Sequence, residues 1–194
     1  MVYEDTLYAD FSRRDADKKV DDTLVKRWSP RAFKKVAISE ADIQTLFDAP
    51  RWSPSSYNEQ PWRFYVSSDE TFNDYLELLV PANQKWAKNA SLLCFVVCKT
   101  TFTANGKPNG CAEFDTGAAW MALAYQSRKM GLYTHGMAGI KYEEVAQYLR
   151  LQGDEKVLCA IAIGVADVPD SLPDELAEKE VPSGRKKLEE ILKR

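Results

Sequence analysis

Pro54-Ser55-Ser56-Tyr57-Asn58-Glu59-Gln60-Pro61-Trp62 is a run of short hydroxyl and amide side chains bounded by prolines. It separates two elements of different period. Upstream, Ser39 with Asp42 makes a capping-box-like start, and Ile43, Leu46 and Phe47 continue at helical spacing until Pro50. Downstream, Phe64, Tyr65 and Val66 place bulky β-formers in a strand over Arg63 to Ser67. Helices and strands follow one another without regular βα alternation, so the pattern predicts an α+β fold.

Further elements extend in both directions. Asp22 to Lys26 belongs to a first helix that ends near Ser29-Pro30. Ser67 with Glu70 predicts a second capping box, opening a helix through Tyr75, Leu76, Leu78 and Leu79. Leu92 to Thr100 is a continuous apolar strand covered on both faces, and Val157 to Val165 is another. Asn105-Gly106 and Asn109-Gly110 mark a mobile loop. Cys111 to Met130 is the longest helix, with Gly131 placed for a left-handed C-terminal cap. Its middle, Gly117 to Ala124, is apolar on nearly every face, so the helix is central and suits a dimer interface. Lys141 to Arg150 reads as a short amphipathic helix. The plan is an arm over 1–22, one domain over 23–168, and a proline-punctuated charged extension over 169–194.

Several functions are excluded by composition and motif. A net charge of −3 lacks the basic excess of a nucleic-acid partner. The longest apolar run, Leu92 to Val97, is strand-sized, so no membrane span is expected. The acidic start lacks a secretory core, which points to the cytoplasm. Cys94, Cys98, Cys111 and Cys159 form no CxxC pair, and three of them lie in apolar stretches as small buried hydrophobes. The glycines spell neither GxGxxG nor a phosphate-binding loop, and no GxSxG surrounds a serine. His135 is the only histidine, so no multi-histidine metal site exists. Placed in a loop, it reads as structural rather than as a catalytic base.

Two clusters carry chemistry. Arg27-Trp28-Ser29-Pro30-Arg31 can converge on one anion, since guanidinium forks pair bidentately with phosphate, although read alone it is also a solvated basic turn. The Pro54 to Trp62 segment offers hydrogen bonds to a polar heterocycle, with Trp52 and Trp62 as apolar walls. Two amides and two tryptophans exceed what an ordinary turn requires.

Arg-x-Ser-x-Arg followed by Pro-Ser-Ser-x-Asn-x-Gln-Pro-Trp resembles the opening of the nitroreductase family. Asn83-Gln84-Lys85-Trp86 before the Leu92 strand, Gly131-Leu132 leading to Gly136-Met137-Ala138-Gly139-Ile140, and Gly184 to Glu190 resemble later family motifs in the same order. The likeness runs from about Leu24 to the C-terminus.

That resemblance implies a mostly antiparallel sheet flanked by helices, a homodimer, and non-covalent FMN with NAD(P)H as co-substrate. Arg27, Trp28, Ser29, Arg31 and Arg185 are implied at the FMN phosphate and ribityl chain. Pro54, Ser55, Ser56 and Asn58 are implied at the flavin edge from the partner subunit, with Gln60 ordering their loop. Asn83 is implied at the pyrimidine, and Met137, Ala138 and Gly139 beside N5 through their backbone. The implied reaction passes a hydride from NAD(P)H through FMN to an electron-poor acceptor such as a nitroaromatic or quinone, by a ping-pong scheme with no essential protein acid or base. A specialised flavin dehydrogenase or dehalogenase of the same fold, and a flavin-binding protein without turnover, are the alternatives. Trp86 stands where some members have lysine, a departure that bears on the flavin potential.

Overall fold

The computed structural model describes residues 2–3 and 9–194, so part of the expected N-terminal arm, residues 1 and 4–8, lies outside the described residues. In chain order the elements are α1 (Asp22–Lys26), β1 (Phe33–Lys34), α2 (Glu40–Asp48), β2 (Trp62–Val66), α3 (Phe72–Glu77), α4 (Pro81–Ala87), β3 (Leu92–Lys99), α5 (Ala112–Lys129), β4 (Tyr133–Met137), α6 (Tyr142–Tyr148), β5 (Glu155–Ala166), α7 (Asp174–Ala177) and α8 (Leu188–Ile191). The strands form one sheet in which every pairing is antiparallel. β5 is its spine: β3 takes one edge, β4 and β1 share the other, and β2 pairs outside β3.

This spine is stable because β3 and β5 are apolar on both faces. Leu93, Phe95 and Val97 meet Phe33, Tyr75, Leu79 and Trp86 on one side. Leu92, Cys94 and Val96 meet Leu46, Leu123 and Leu132 on the other. A register shift lets Val96 pair with Cys159 and Val97 with Val157, leaving Leu158 as the extra residue. That bulge turns Val157 to the face of Ala160 and Ala162, where strict alternation would have sent it to the opposite one. α2 and α5 cover one face of the sheet, and α3, α4 and α6 cover the other. The resulting α+β architecture matches the expected class.

Local signals explain most boundaries. The Ser39 hydroxyl accepts from the Asp42 amide at 3.1 Å and caps α2. Gly131 ends α5 with φ of +81°, and a Cβ there would sit 2.1 Å from the Tyr3 carbonyl oxygen. Along α5, Phe114 is 82% exposed and Met121 40%, so an apolar stripe on the longest helix is left uncovered in this single chain.

Four expectations need correction. Ser67 does not cap α3; its hydroxyl accepts from the Leu93 amide at 3.0 Å and ties β2 to β3. Ser68 and Thr71 bracket the turn instead, through a 2.8 Å bond from the Ser68 amide to the Thr71 hydroxyl. The stretch read as a mobile loop forms a short hairpin, in which Thr101 bridges Pro108 and the Asn109 amide donates to the Thr100 carbonyl at 2.7 Å. β1 and β4 were not anticipated, and β4 places His135 in a strand rather than a loop.

Candidate active site

Beyond α1 the chain is extended, and its burial alternates. Trp28 and Pro30 turn inward, while Arg27, Ser29 and Arg31 are half-buried on the other side. Trp28 is fixed by an edge-on contact with Tyr133 at 6.4 Å. The period of two therefore puts both arginines and the serine on one surface. Arg185 reaches the same surface from the C-terminal extension, and a cavity of about 310 Å³ is lined by Arg14, Arg27, Ser29, Arg31, His135 and Arg185. Arg27 Nη1 lies 3.4 Å from Ser29 Oγ. Burial first, then the Arg185 charge, lowers the Arg27 pKa. Such crowding of like charge would be relieved by an anion.

His135 closes the inner wall. Its Nδ1 is 2.8 Å from the Pro30 carbonyl oxygen, which can only accept, so Nδ1 carries the proton and Nε2 is the acceptor of the neutral ring. Its ring centroid is 4.6 Å from that of Trp86. Trp86 itself is 2% exposed and stacks on Phe33, so this position supplies no cation, and neighbouring Lys85 turns outward to Glu175 at 3.1 Å. Burial pushes the His135 pKa down from 6.5 to about 4, and the Arg31 charge adds to that shift.

A pH effect on stability follows. Above pH 6.5 the ring is neutral in folded and unfolded chains and contributes no slope. From pH 6.5 down to about 4 only the unfolded chain takes up the proton, so stability falls as pH falls and levels off below. The loss should be about 3 kcal/mol. Urea unfolding at pH 7.5 and 4.5 checks this against His135→Asn, which keeps an N–H donor and does not titrate. Glu180, whose pKa is raised by burial, works with the opposite sign but is common to both proteins. An unchanged difference between the two pH values in His135→Asn would remove His135 from this role.

β4 leads from His135 to Met137, which is buried, and on to Ala138, which is exposed. The Asn83 side-chain amide donates to the Gly139 carbonyl at 3.0 Å, and the Val80 amide does so at 3.1 Å. A Cβ at Gly139 would lie 2.6 Å from Asn83 Nδ2 and 2.9 Å from Val80 Cγ2, so a larger residue there would have to displace the Asn83 amide from its bond to the Gly139 carbonyl. Outside the strand ladders, the Ala138 and Gly139 amides donate to no backbone carbonyl among the described residues.

The Pro54 to Gln60 segment is ordered by its own short side chains. Ser55 Oγ accepts from the Gln60 amide at 3.0 Å, and Gln60 Nε2 donates to the Asn58 carbonyl at 3.1 Å. The Ser56 amide donates at 2.9 Å to Asp115, a buried carboxylate of α5. Tyr57, Asn58 and Gln60 all have positive φ, between 50° and 54°. Three left-handed non-glycine residues so close together store backbone strain, a feature concentrated at ligand sites. None of Pro54, Ser55, Ser56, Asn58 or Gln60 lines the arginine cavity of its own chain. The predicted site thus divides into the arginine cavity with the Asn83–Gly139 shelf, and a separate strained loop against α5.

Arg14, Lys179 and Glu180 were missed. Lys179 lines the cavity, and Glu180 Oε1 accepts from the Arg31 and Ala32 amides at 2.6 and 2.8 Å. These residues lie in charged, aperiodic stretches, where nothing in the sequence marks one charge from its neighbours.

A helix-covered antiparallel sheet whose edge strand joins a guanidinium cavity to a backbone shelf defines a receptor for an elongated ligand with an anionic end. The chain belongs to the nitroreductase family. Residues 24–82 match the model of the Nitroreductase family. A solved structure described as an oxidoreductase containing FMN is 40% identical, with a TM-score of 0.88, over 92% of this chain and 93% of that one. A nitroreductase family protein from Streptococcus pneumoniae shares the fold at 17% identity, with a TM-score of 0.71, over 89% of this chain and 98% of that one. Among curated proteins, one from Staphylococcus haemolyticus, provisionally named NAD(P)H nitroreductase, is 30% identical over 54% of this chain. The match spans only 42% of that relative's length.

Proposed function

We propose that this chain is an FMN-dependent NAD(P)H oxidoreductase that works as a homodimer. The observation that carries the reading is the convergence of Arg27, Ser29, Arg31 and Arg185 on one cavity from distant parts of the chain. The donor set fits a phosphate monoester. From the cavity wall at His135 the chain follows β4 to its end at Met137 and reaches Ala138 roughly 10 Å further along at strand rise, which suits a ligand with a phosphate at one end and a planar ring at the other. The relative at 40% identity contains FMN, which supports the same choice.

Within that frame the chain's own groups have distinct tasks. Arg27, Arg31 and Arg185 pair with the phosphate, and Ser29 donates its hydroxyl to it. Asn83 and the backbone of Ala138 and Gly139 orient the ring. Exposed Ala138, with only a methyl group, leaves room for a second planar molecule to stack. Bound FMN supplies a two-electron relay from NAD(P)H to an electron-poor acceptor such as a nitroaromatic or a quinone, in alternate half-reactions. His135, held neutral, keeps Pro30 in place and gives no proton near neutral pH.

The second subunit completes the site. Phe114 and Met121 leave α5 with an uncovered apolar stripe, and Asp115 on the same helix anchors the Ser56 amide. Pairing two α5 helices covers the stripe and carries Pro54, Ser55, Ser56 and Asn58 towards the partner's shelf. The extension over 169–194 adds Arg185 and contacts the partner, while its Leu172 and Glu180 stay packed on their own chain.

The purified protein should be yellow with an FMN spectrum, and anaerobic addition of NADH or NADPH should bleach it. A colourless protein that takes up no added FMN would defeat the reading. Flavin that neither nicotinamide reduces would reassign the chain to flavin binding alone.

A further inference from the structure

Arg14 lies in the N-terminal arm, outside every motif used above, yet it lines the same cavity as Arg27 and Arg185. Its Nη1 donates to the Arg27 carbonyl at 2.8 Å and also to the Val25 carbonyl, and its Nε donates to the Ser183 carbonyl at 3.2 Å. Arg14 therefore binds the backbone on both sides of the cavity, at the segment carrying Arg27 and at the segment carrying Arg185. The Phe11 ring supports the guanidinium from 5.3 Å.

The charge balance around this bracket is one-sided. Arg14, Arg27 and Arg185 have no ion-pair partner among the described residues, whereas Arg31 has Glu180 at 3.8 Å. Burial, then the charges of Arg185 and Arg27, push the Arg14 pKa down to about 10. Arg14 Nη2 is buried without a hydrogen-bond partner. A fully partnered structural arginine is usually matched by a carboxylate, and this one is instead added to two other free cations. Grouping like charges in a half-buried place costs stability until an anion arrives.

We propose that Arg14 is a positioning residue of the anion site: it joins the N-terminal arm to the Arg27 and Arg185 segments and, with them, holds a phosphate monoester. The inference rests on the flavin reading for the identity of the ligand, but not for its charge. The carbonyl contacts set the spacing of the two cation-bearing segments, and the guanidinium adds positive potential to the site they form. Loss of the bracket should therefore weaken a phosphate-bearing ligand much more than the same ligand without phosphate.

The test compares wild type, Arg14→Gln and Arg14→Lys as full-length proteins. FMN and riboflavin are titrated by fluorescence, and inorganic phosphate is titrated by its effect on the melting temperature. Arg14→Gln should raise the Kd for FMN by roughly 10- to 100-fold, the range of a lost charge-assisted contact. Riboflavin binding should change less than about twofold on the same scale. Arg14→Lys, which keeps the charge and loses the bracket, should lie between. Phosphate should raise the melting temperature of wild type more than that of Arg14→Gln. Equal weakening of FMN and riboflavin would make Arg14 merely structural, and unchanged FMN binding in Arg14→Gln would overturn the proposal outright. If wild type responds to phosphate through Arg14 but binds no FMN, the anion site stands and the flavin reading falls.

Discussion

Replacing Arg27 and Arg185 together by alanine should raise the Kd for FMN by about 10³-fold, because each charge-assisted contact to phosphate is worth about 2 kcal/mol. The fold should survive the change. Arg185 is exposed, and its side chain bonds only to nearby groups at Ser183 and Gly184. Arg27 contributes one long side-chain contact, to Ser29 at 3.4 Å, and the carbonyl that Arg14 uses belongs to its backbone. Removing two crowded cations also relieves repulsion in the empty cavity, so the melting temperature without ligand should not fall. The double variant should lose its colour on gel filtration while riboflavin, which lacks the phosphate, binds it as it binds wild type. A residual effect of raised salt on FMN affinity should also shrink, since fewer cations remain to be screened. Fluorescence titration decides the matter: a change below tenfold would place the phosphate elsewhere.

The shared surface of the first arginine cluster was legible because that motif is local. Arg27, Ser29 and Arg31 share a surface through simple strand alternation, and the strained Pro54 to Gln60 loop is built from adjacent hydroxyls and amides. β3, β5 and α5 were readable for a related reason: each contains a nearly continuous apolar run, strand-sized in β3 and β5 and set in a helix-long segment before the Gly131 cap in α5. The sequence was silent where the decisive partner is remote. β4 reads Tyr133-Thr134-His135-Gly136-Met137, with no apolar run to mark a strand. Its glycine is explained only by the fold, since a Cβ at Gly136 would lie 2.5 Å from the Trp120 ring. Ser67 had the spacing of a cap, but a neighbouring strand offered its hydroxyl a better partner. Trp28, named with the cofactor residues, also lines the arginine cavity, where its buried ring packs edge-on against Tyr133. Arg14 and Glu180 belong to charge-rich termini in which every residue looks solvated, and only contact with the Arg27–Ala32 segment distinguishes them.

Glu180→Ala should be the most damaging single change outside the sheet. The carboxylate is 2% exposed and satisfies two backbone amides, at Arg31 and Ala32, while facing the Arg31 guanidinium. Truncation leaves two buried donors without an acceptor and one cation without its counter-charge, a loss of about 3–5 kcal/mol. For a chain of this length the melting temperature should drop by roughly 10 °C. Glu180→Gln separates the two contributions. Its carbonyl can still accept both amides, so most of the stability should return, while the site gains one net positive charge. FMN affinity in Glu180→Gln should therefore equal or exceed that of wild type, whereas Glu180→Ala should lose affinity, because the turn carrying Arg31 and the extension carrying Arg185 are no longer tied together. Calorimetry with FMN titration on the two variants checks both statements. If glutamine were as destabilising as alanine, the charge rather than the pair of amide bonds would hold the extension, and Glu180 would act as a counter-ion to Arg31 instead of as a cap on its backbone.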